Sequence, residues 1–225
     1  MNKILSNYNE ILKQIRSCKR KLNGKYCEPE LIAVSKQFPK EVIQILVSEG
    51  HTTFGENKVQ EAQSKWVDLK KTNSGKNIEL HLIGPLQSNK ANLALDIFDV
   101  IQTVDREKIA LKLNKYLQEK TNINKKKFFI QVNIGGEKQK SGIEEGLAEQ
   151  FIQWCSNDLS LNIIGLMCIP PLDQPPEPFF KRLRSLCDQF DLKHASMGMT
   201  NDFKSAIDHG ATFIRVGTGI FGKRD

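Results

Sequence analysis

The chain has 225 residues, 39% of them apolar, and 33 Lys and Arg against 26 Asp and Glu give it a net charge of +7. That length suits one large domain and that apolar share a real core, while the positive balance favours anionic ligands, from a small phosphate to a nucleic acid. Five dispersed cysteines (Cys18, Cys27, Cys155, Cys168, Cys187) without a C-x-x-C pair argue against a disulfide or zinc framework and for a reducing, cytoplasmic setting. No apolar run is long enough to span a membrane.

Residues 3 to 22 carry Leu5, Tyr8, Ile11, Leu12 and Ile15 on one helical face, which predicts an amphipathic helix rather than a signal sequence. Eight short apolar strand signals follow, at 31–35, 52–57, 79–84, 99–104, 127–134, 162–167, 193–198 and 212–217. Helix-length segments separate them; Ile109, Leu113, Tyr116 and Leu117, then Leu147, Phe151, Trp154 and Cys155, repeat at helical spacing. Alternating helices with near-continuous apolar strands imply a parallel sheet, and eight units imply a closed (β/α)8 TIM barrel over one domain, residues 1–225. The leading helix is expected to cover the barrel floor. A doubly wound open sheet is the competing arrangement. The loop PPLDQPPEP at 170–178 reads as a stiff barrel loop between a strand and a helix.

In such a barrel the chemistry sits at the C-terminal ends of the strands, with phosphate often held after strands seven and eight. The seventh strand empties into Ser196-Met197-Gly198-Met199, and the eighth into Gly217-Thr218-Gly219-Ile220-Phe221-Gly222. That last stretch is a G-x-G-x-x-G, but too little chain follows it for a dinucleotide-binding unit. Hydroxyls of Ser196 and Thr218 and N–H groups of both turns suit one phosphate. The first strand ends in Lys36, where partial desolvation would favour a neutral amine, nucleophilic toward aldehydes. With Arg215 facing inward on strand eight, these groups suggest a phosphorylated aldehyde held as a Schiff base, a description that pyridoxal 5'-phosphate fits.

The stretches LIAVSKQFP, FGENKVQEAQ, HLIGPLQSNK, TVDREKIA, IQVNIGGEKQKSGI, GLMCIPP and SMGMTNDFKSAIDHGATFIRVGTGIFGKRD strongly resemble the pyridoxal phosphate homeostasis proteins, single-domain relatives of the barrel domain of alanine racemase. The resemblance runs from about residue 30 to the end of the chain. It implies that Lys36 forms the Schiff base, that Ser196, Gly217 and Thr218 hold the phosphate, that Arg215 meets the pyridine nitrogen, and that Asn57 and Met167 line the ring pocket. The chain departs from the family at Lys58, where Tyr is common, and at Phe38, where Lys is frequent.

The function implied is to bind pyridoxal phosphate, limit the free aldehyde and deliver it to apo-enzymes, as a monomer that binds no specific nucleic acid and no membrane. The alternative is an amino-acid racemase. Racemisation needs an acid/base on each face of the substrate carbanion, and Lys36 supplies one. Tyr8 and Tyr116 fall on outer helices and Tyr26 before the first strand, which leaves Cys168 as the only other candidate. Arg215 would be a donor only, keeping the ring nitrogen neutral and the electron sink weak. His51, His81, His194 and His209 lack metal-ligand spacing.

Overall fold

The computed structural model describes residues 2–18, 21–22, 25–26, 28–72, 75–120, 126–137 and 139–222. Its strands are β1 (Glu30–Val34), β2 (Thr53–Glu56), β3 (Glu79–Leu82), β4 (Val100–Val104), β5 (Lys127–Asn133), β6 (Ile163–Met167), β7 (His194–Met199) and β8 (Phe213–Val216). Each pairs in parallel with the next, β4 with β5 included, and β8 returns to β1 with Arg215 opposite Ile32. The sheet is therefore the expected closed (β/α)8 barrel and not the open alternative. Two-residue pairings at 21–22 with 25–26 and at 143–144 on β5 add small extensions.

Helices α2 (Lys40–Ser48), α3 (Val59–Leu69), α4 (Ala91–Ile97), α5 (Glu107–Glu119), α6 (Ala148–Gln153), α7 (Glu177–Gln189) and α8 (Phe203–Asp208) follow successive strands. Each lays an apolar stripe on the sheet: α5 buries Ile109, Ala110, Leu113 and Tyr116, and α7 buries Phe179, Phe180, Leu183 and Cys187. Burying one such large apolar side chain is worth roughly 1.5–3 kcal/mol, so these stripes fix the helices outside the barrel. Among the described residues no helix is long and apolar enough to cross a membrane.

The leading helix differs from expectation in length and place. α1 (Lys3–Ser17) starts at Asn2, whose side chain accepts the Ile4 N–H, and stops at Cys18. Rather than capping the floor, it packs against α2, α8 and the short α9 (Thr218–Phe221), and Asn7 donates to the Ile220 carbonyl. The reason is topological. The strand-eight unit ends in a four-residue helix that cannot shield β8 and β1, and the Tyr8, Ile11 and Ile15 stripe of α1 supplies the missing cover.

Inside the barrel, residues alternate along each strand. Ile32, Val34, Val100, Phe129, Met167 and Phe213 form an apolar plug. Buried polar groups interleave with it, and each needs a partner in so dry a place. Thr103 and Gln131 bond to the Gly84 and Ser141 carbonyls, and one chain of hydrogen bonds joins the others that lead to Arg215. Lys127 meets Glu79, Glu79 Oε1 faces His81 Nε2 at 3.0 Å, and Gln102 Nε2 lies 2.8 Å from His81 Nδ1. Ser196 Oγ then donates to Gln102 Oε1 at 2.6 Å and accepts from Arg215 Nη1 at 2.7 Å. The His81 contact, with the Lys127 ammonium adding to it, holds Glu79 down at about 2.

Two other histidines are kept neutral. His51 sits between the Tyr8 hydroxyl, which donates to Nδ1, and the Thr53 carbonyl, which accepts from Nε2. Burial lowers both His51 and His194 from 6.5 to about 4. As pH falls below 6.5 the unfolded chain takes up these protons first, so the histidines' share of stability is lost between pH 6.5 and 4. Urea midpoints measured across that window should fall less steeply in a His51→Gln/His194→Gln variant than in the parent.

Candidate functional site at the barrel mouth

A cavity of about 360 Å³ opens at the C-terminal ends of the strands, and the period-two alternation of the interior decides what lines it. On β1, Ile32 and Val34 face inward, and the next residue in that register is Lys36. On β2, Gly55 leads to Asn57; on β8, Phe213 leads to Arg215 and Gly217. Lys36, Asn57, Arg215, Gly217 and Thr218 all line this one cavity, with Ile83 and Ile169 as apolar walls and the exposed Leu172 of the proline loop at its rim. Asn57 is held tightly: a Cβ at Gly84 would stand 2.3 Å from the Asn57 carbonyl oxygen, so only glycine lets β3 pass there.

Arg215 is almost fully buried, and burial pulls its guanidinium below the ordinary range. Its Nη2 donates to the Cys168 carbonyl at 2.8 Å and its Nη1 to Ser196, which fixes the plane of the group against the cavity. The Cys168 thiol is itself fully buried, outside the lining, and pushed up to about 12 by burial. It is not a group that could trade protons in the cavity. Tyr8 and Tyr116 spend their hydroxyls on His51 and Asp96, away from the mouth; the Tyr26 side chain and Cys27 lie outside the described residues.

Met167 and Ser196 are placed one level below the mouth, paired across β6 and β7 and fully buried. Met167 belongs to the apolar plug. The Ser196 hydroxyl has a single proton, given to Gln102, and its oxygen receives Arg215; it orients Arg215 rather than reaching the cavity. The hydroxyl that does reach the mouth from β7 is Thr200, which follows a break in register between Ser196 and Met199. Gly198 takes φ +89°, and a Cβ there would meet that of Ala206 at 2.5 Å, so glycine is required where β7 bends against α8. Thr200 Oγ1 accepts from Thr218 Oγ1 at 3.2 Å and from the Gly219 N–H at 3.3 Å, which leaves its own proton as a donor. Two hydroxyls and the first N–H groups of α9 thus gather on one side, with Lys36 and Arg215 elsewhere around the same cavity. Asp202, also in the lining, is engaged by the Met199 N–H. Nothing in the sequence marked Thr200, because the irregularity between Ser196 and Met199 breaks the period-two count along β7. The two family departures sit at the rim: Phe38 stacks on Phe221 with centroids 5.0 Å apart, and Lys58 is exposed at the start of α3.

This barrel, with its lysine at the end of β1 and arginine at the end of β8, is of the alanine racemase N-terminal domain class, whose family model matches residues 6–225. Among individual proteins, it is 39% identical over 233 residues to the pyridoxal phosphate homeostasis protein of Vibrio cholerae, covering 100% of this chain and 98% of that one. Its structure is similar to that of PipY of Synechococcus elongatus with PLP bound, at 32% identity and a TM-score of 0.80, covering 97% of this chain and 100% of that one. Alanine racemase of Clostridium difficile shares the fold at a TM-score of 0.70, with 14% identity, covering 100% of this chain and 57% of that chain. The chain belongs to the pyridoxal phosphate homeostasis protein family.

Proposed function

We propose that the chain, working as one domain over residues 1–225, binds pyridoxal 5'-phosphate at the barrel mouth and serves its homeostasis. The observation that carries this reading is the convergence of a strand-end amine (Lys36), a fixed guanidinium (Arg215) and a hydroxyl-lined anion cradle (Thr200, Gly217, Thr218) on a cavity of about 360 Å³. That volume lies within the usual range for a small ligand of mixed polarity. Homologues under the homeostasis name and a PLP-bound neighbour support it.

When bound, the cofactor supplies an aldehyde that an amine can hold reversibly, with one water released. Lys36 provides the amine. Thr218, Gly217 and Thr200 take the phosphate, and Ser196 acts behind the cavity by aiming Arg215. Arg215 donates toward the ring nitrogen and has no proton acceptor to offer, which leaves that nitrogen neutral. Asn57, Ile83 and Ile169 confine the ring, and Met167 supports it from below. Delivery to apo-enzymes, a monomeric state and a cytoplasmic location complete the proposal.

Purified protein mixed with pyridoxal phosphate is expected to develop a visible absorption band, and Lys36→Ala to lose it. A band of equal strength in Lys36→Ala would sink the reading.

A further inference from the structure

Behind the end of β1, away from the cavity, lies a buried cluster of charges that the cofactor reading does not use. Glu56, the last residue of β2, turns outward beneath α3 and is fully buried; Lys65 of α3 is nearly so. Their ion pair is 2.8 Å long. Taking two charges out of water is costly, and their attraction repays it only where the geometry is good and further hydrogen bonds satisfy the groups. Here the geometry encloses the turn that carries Lys36. Lys65 Nζ donates to the carbonyl oxygens of Ser35 at 3.0 Å and Phe38 at 3.2 Å, one on each side of Lys36, and to Glu61 Oε1 at 2.8 Å. Glu61 in turn accepts the N–H of Gln37, which sits at φ 67°, a conformation that a non-glycine residue adopts only when held. Glu56 Oε1 accepts from Ser35 Oγ at 2.7 Å and from Trp66 Nε1 at 3.1 Å. Ser35, Gln37 and Phe38 are thus all tied to this cluster.

We propose that Lys65 and Glu56 form a clamp that aims Lys36 at the aldehyde, making them positioning residues for covalent capture. The inference rests on the cofactor reading above. The clamp holds the backbone on both sides of Lys36 while its side chain lies at the cavity, and the same ion pair anchors the end of β2, one residue before Asn57. A single hydrophobic residue in place of Lys65 would fill the space beneath α3. It would leave the Ser35 and Phe38 carbonyls and the Gln37 turn without their common donor.

The test compares the parent with Lys65→Met and with Lys65→Met/Glu56→Gln; the double variant removes both charges while keeping an amide oxygen for Ser35 and Trp66. Two ligands are used: pyridoxal phosphate, whose aldehyde carbon Lys36 Nζ attacks as a neutral amine with loss of one water, and pyridoxamine phosphate, which has no aldehyde to capture. We expect the adduct with Lys36 to form about 10- to 100-fold more slowly in the variants, the scale of a misaimed reacting group. Pyridoxamine phosphate should bind within about twofold of the parent, since such binding needs the cradle and Arg215 but no bond to Lys36. Unchanged capture would overturn the clamp. So would parallel loss of both ligands, which would mark a general structural role. A readout without any cofactor separates this proposal from the reading beneath it. Competitive acetylation of Lys36 against the exposed Lys58 should change several-fold in the variants, on the same scale, and an unchanged ratio would overturn the clamp even if the parent captured no aldehyde.

Discussion

Pyridoxal lacking its phosphate is expected to bind at least about 10³-fold more weakly than pyridoxal phosphate. The cradle presents the remaining proton of Thr200 and the N–H groups of the Gly217–Thr218 turn, with Thr200 Oγ1 held in place by donation from Thr218 Oγ1 at 3.2 Å and the Gly219 N–H at 3.3 Å. Charge-assisted hydrogen bonds to a phosphate contribute roughly 1.5–3 kcal/mol each, and about 4 kcal/mol in total already gives that ratio. Thr200→Val and Thr218→Val should each remove about tenfold or more of the preference, and Ser196→Ala should not act this way. Its hydroxyl is committed to Gln102 and Arg215, so its loss should alter the cofactor's spectrum more than its phosphate affinity. Equal affinity for the two ligands, measured by titration, would remove the cradle from the account.

The second large effect concerns the ring. With Arg215 as its partner, as proposed, the pyridine nitrogen would stay a neutral acceptor, and carbanions beside it would be poorly stabilised. We expect alanine and serine racemisation to fall well below the turnover of about 1 to 1000 per second typical of enzymes. Of the candidates for a second acid/base, Cys168 is buried outside the lining with its thiol near 12, Tyr8 and Tyr116 bond elsewhere, and Asp202 in the lining is engaged by the Met199 N–H. Arg215→Glu would place a carboxyl where the guanidinium lies, an acceptor competing with Gln102 Oε1 for the Ser196 proton, and favour a protonated ring. That variant should show more slow transamination than the parent when loaded to the same extent. Robust Lys36-dependent racemisation by the parent would contradict this view, and no rise in Arg215→Glu would mean that ring electronics are not what limits the chemistry.

The barrel was legible because strands buried on both faces write themselves as continuous apolar runs, and all eight expected runs overlap β1 to β8. What could not be read was depth. Whether Ser196 or Thr200 reaches the mouth depends on how far β7 is staggered against β6 and β8, and stagger is a relation between strands that no single strand records. The same holds for Met167, which lies one inward position short of Ile169, the residue that reaches the cavity. The polar chain from Glu79 to Arg215 was hidden for a related reason: His81 and Gln102, on the paired strands β3 and β4, are each ordinary alone, and only closure of the barrel brings Gln102 within 2.6 Å of Ser196 on β7. Lys65 looks like a solvated lysine on a charged helix until β2 sets Glu56 beneath it. The place of α1 followed from the brevity of α9, a tertiary consequence that its own amphipathic stripe does not encode.

The most direct measurement is to load the protein with pyridoxal phosphate, reduce it with borohydride and map the modified peptide. The expected result is one stoichiometric adduct on Lys36, within LIAVSKQFP. An adduct on a different lysine, such as Lys58 or Lys90, with Lys36 unmodified, would contradict the account at its centre.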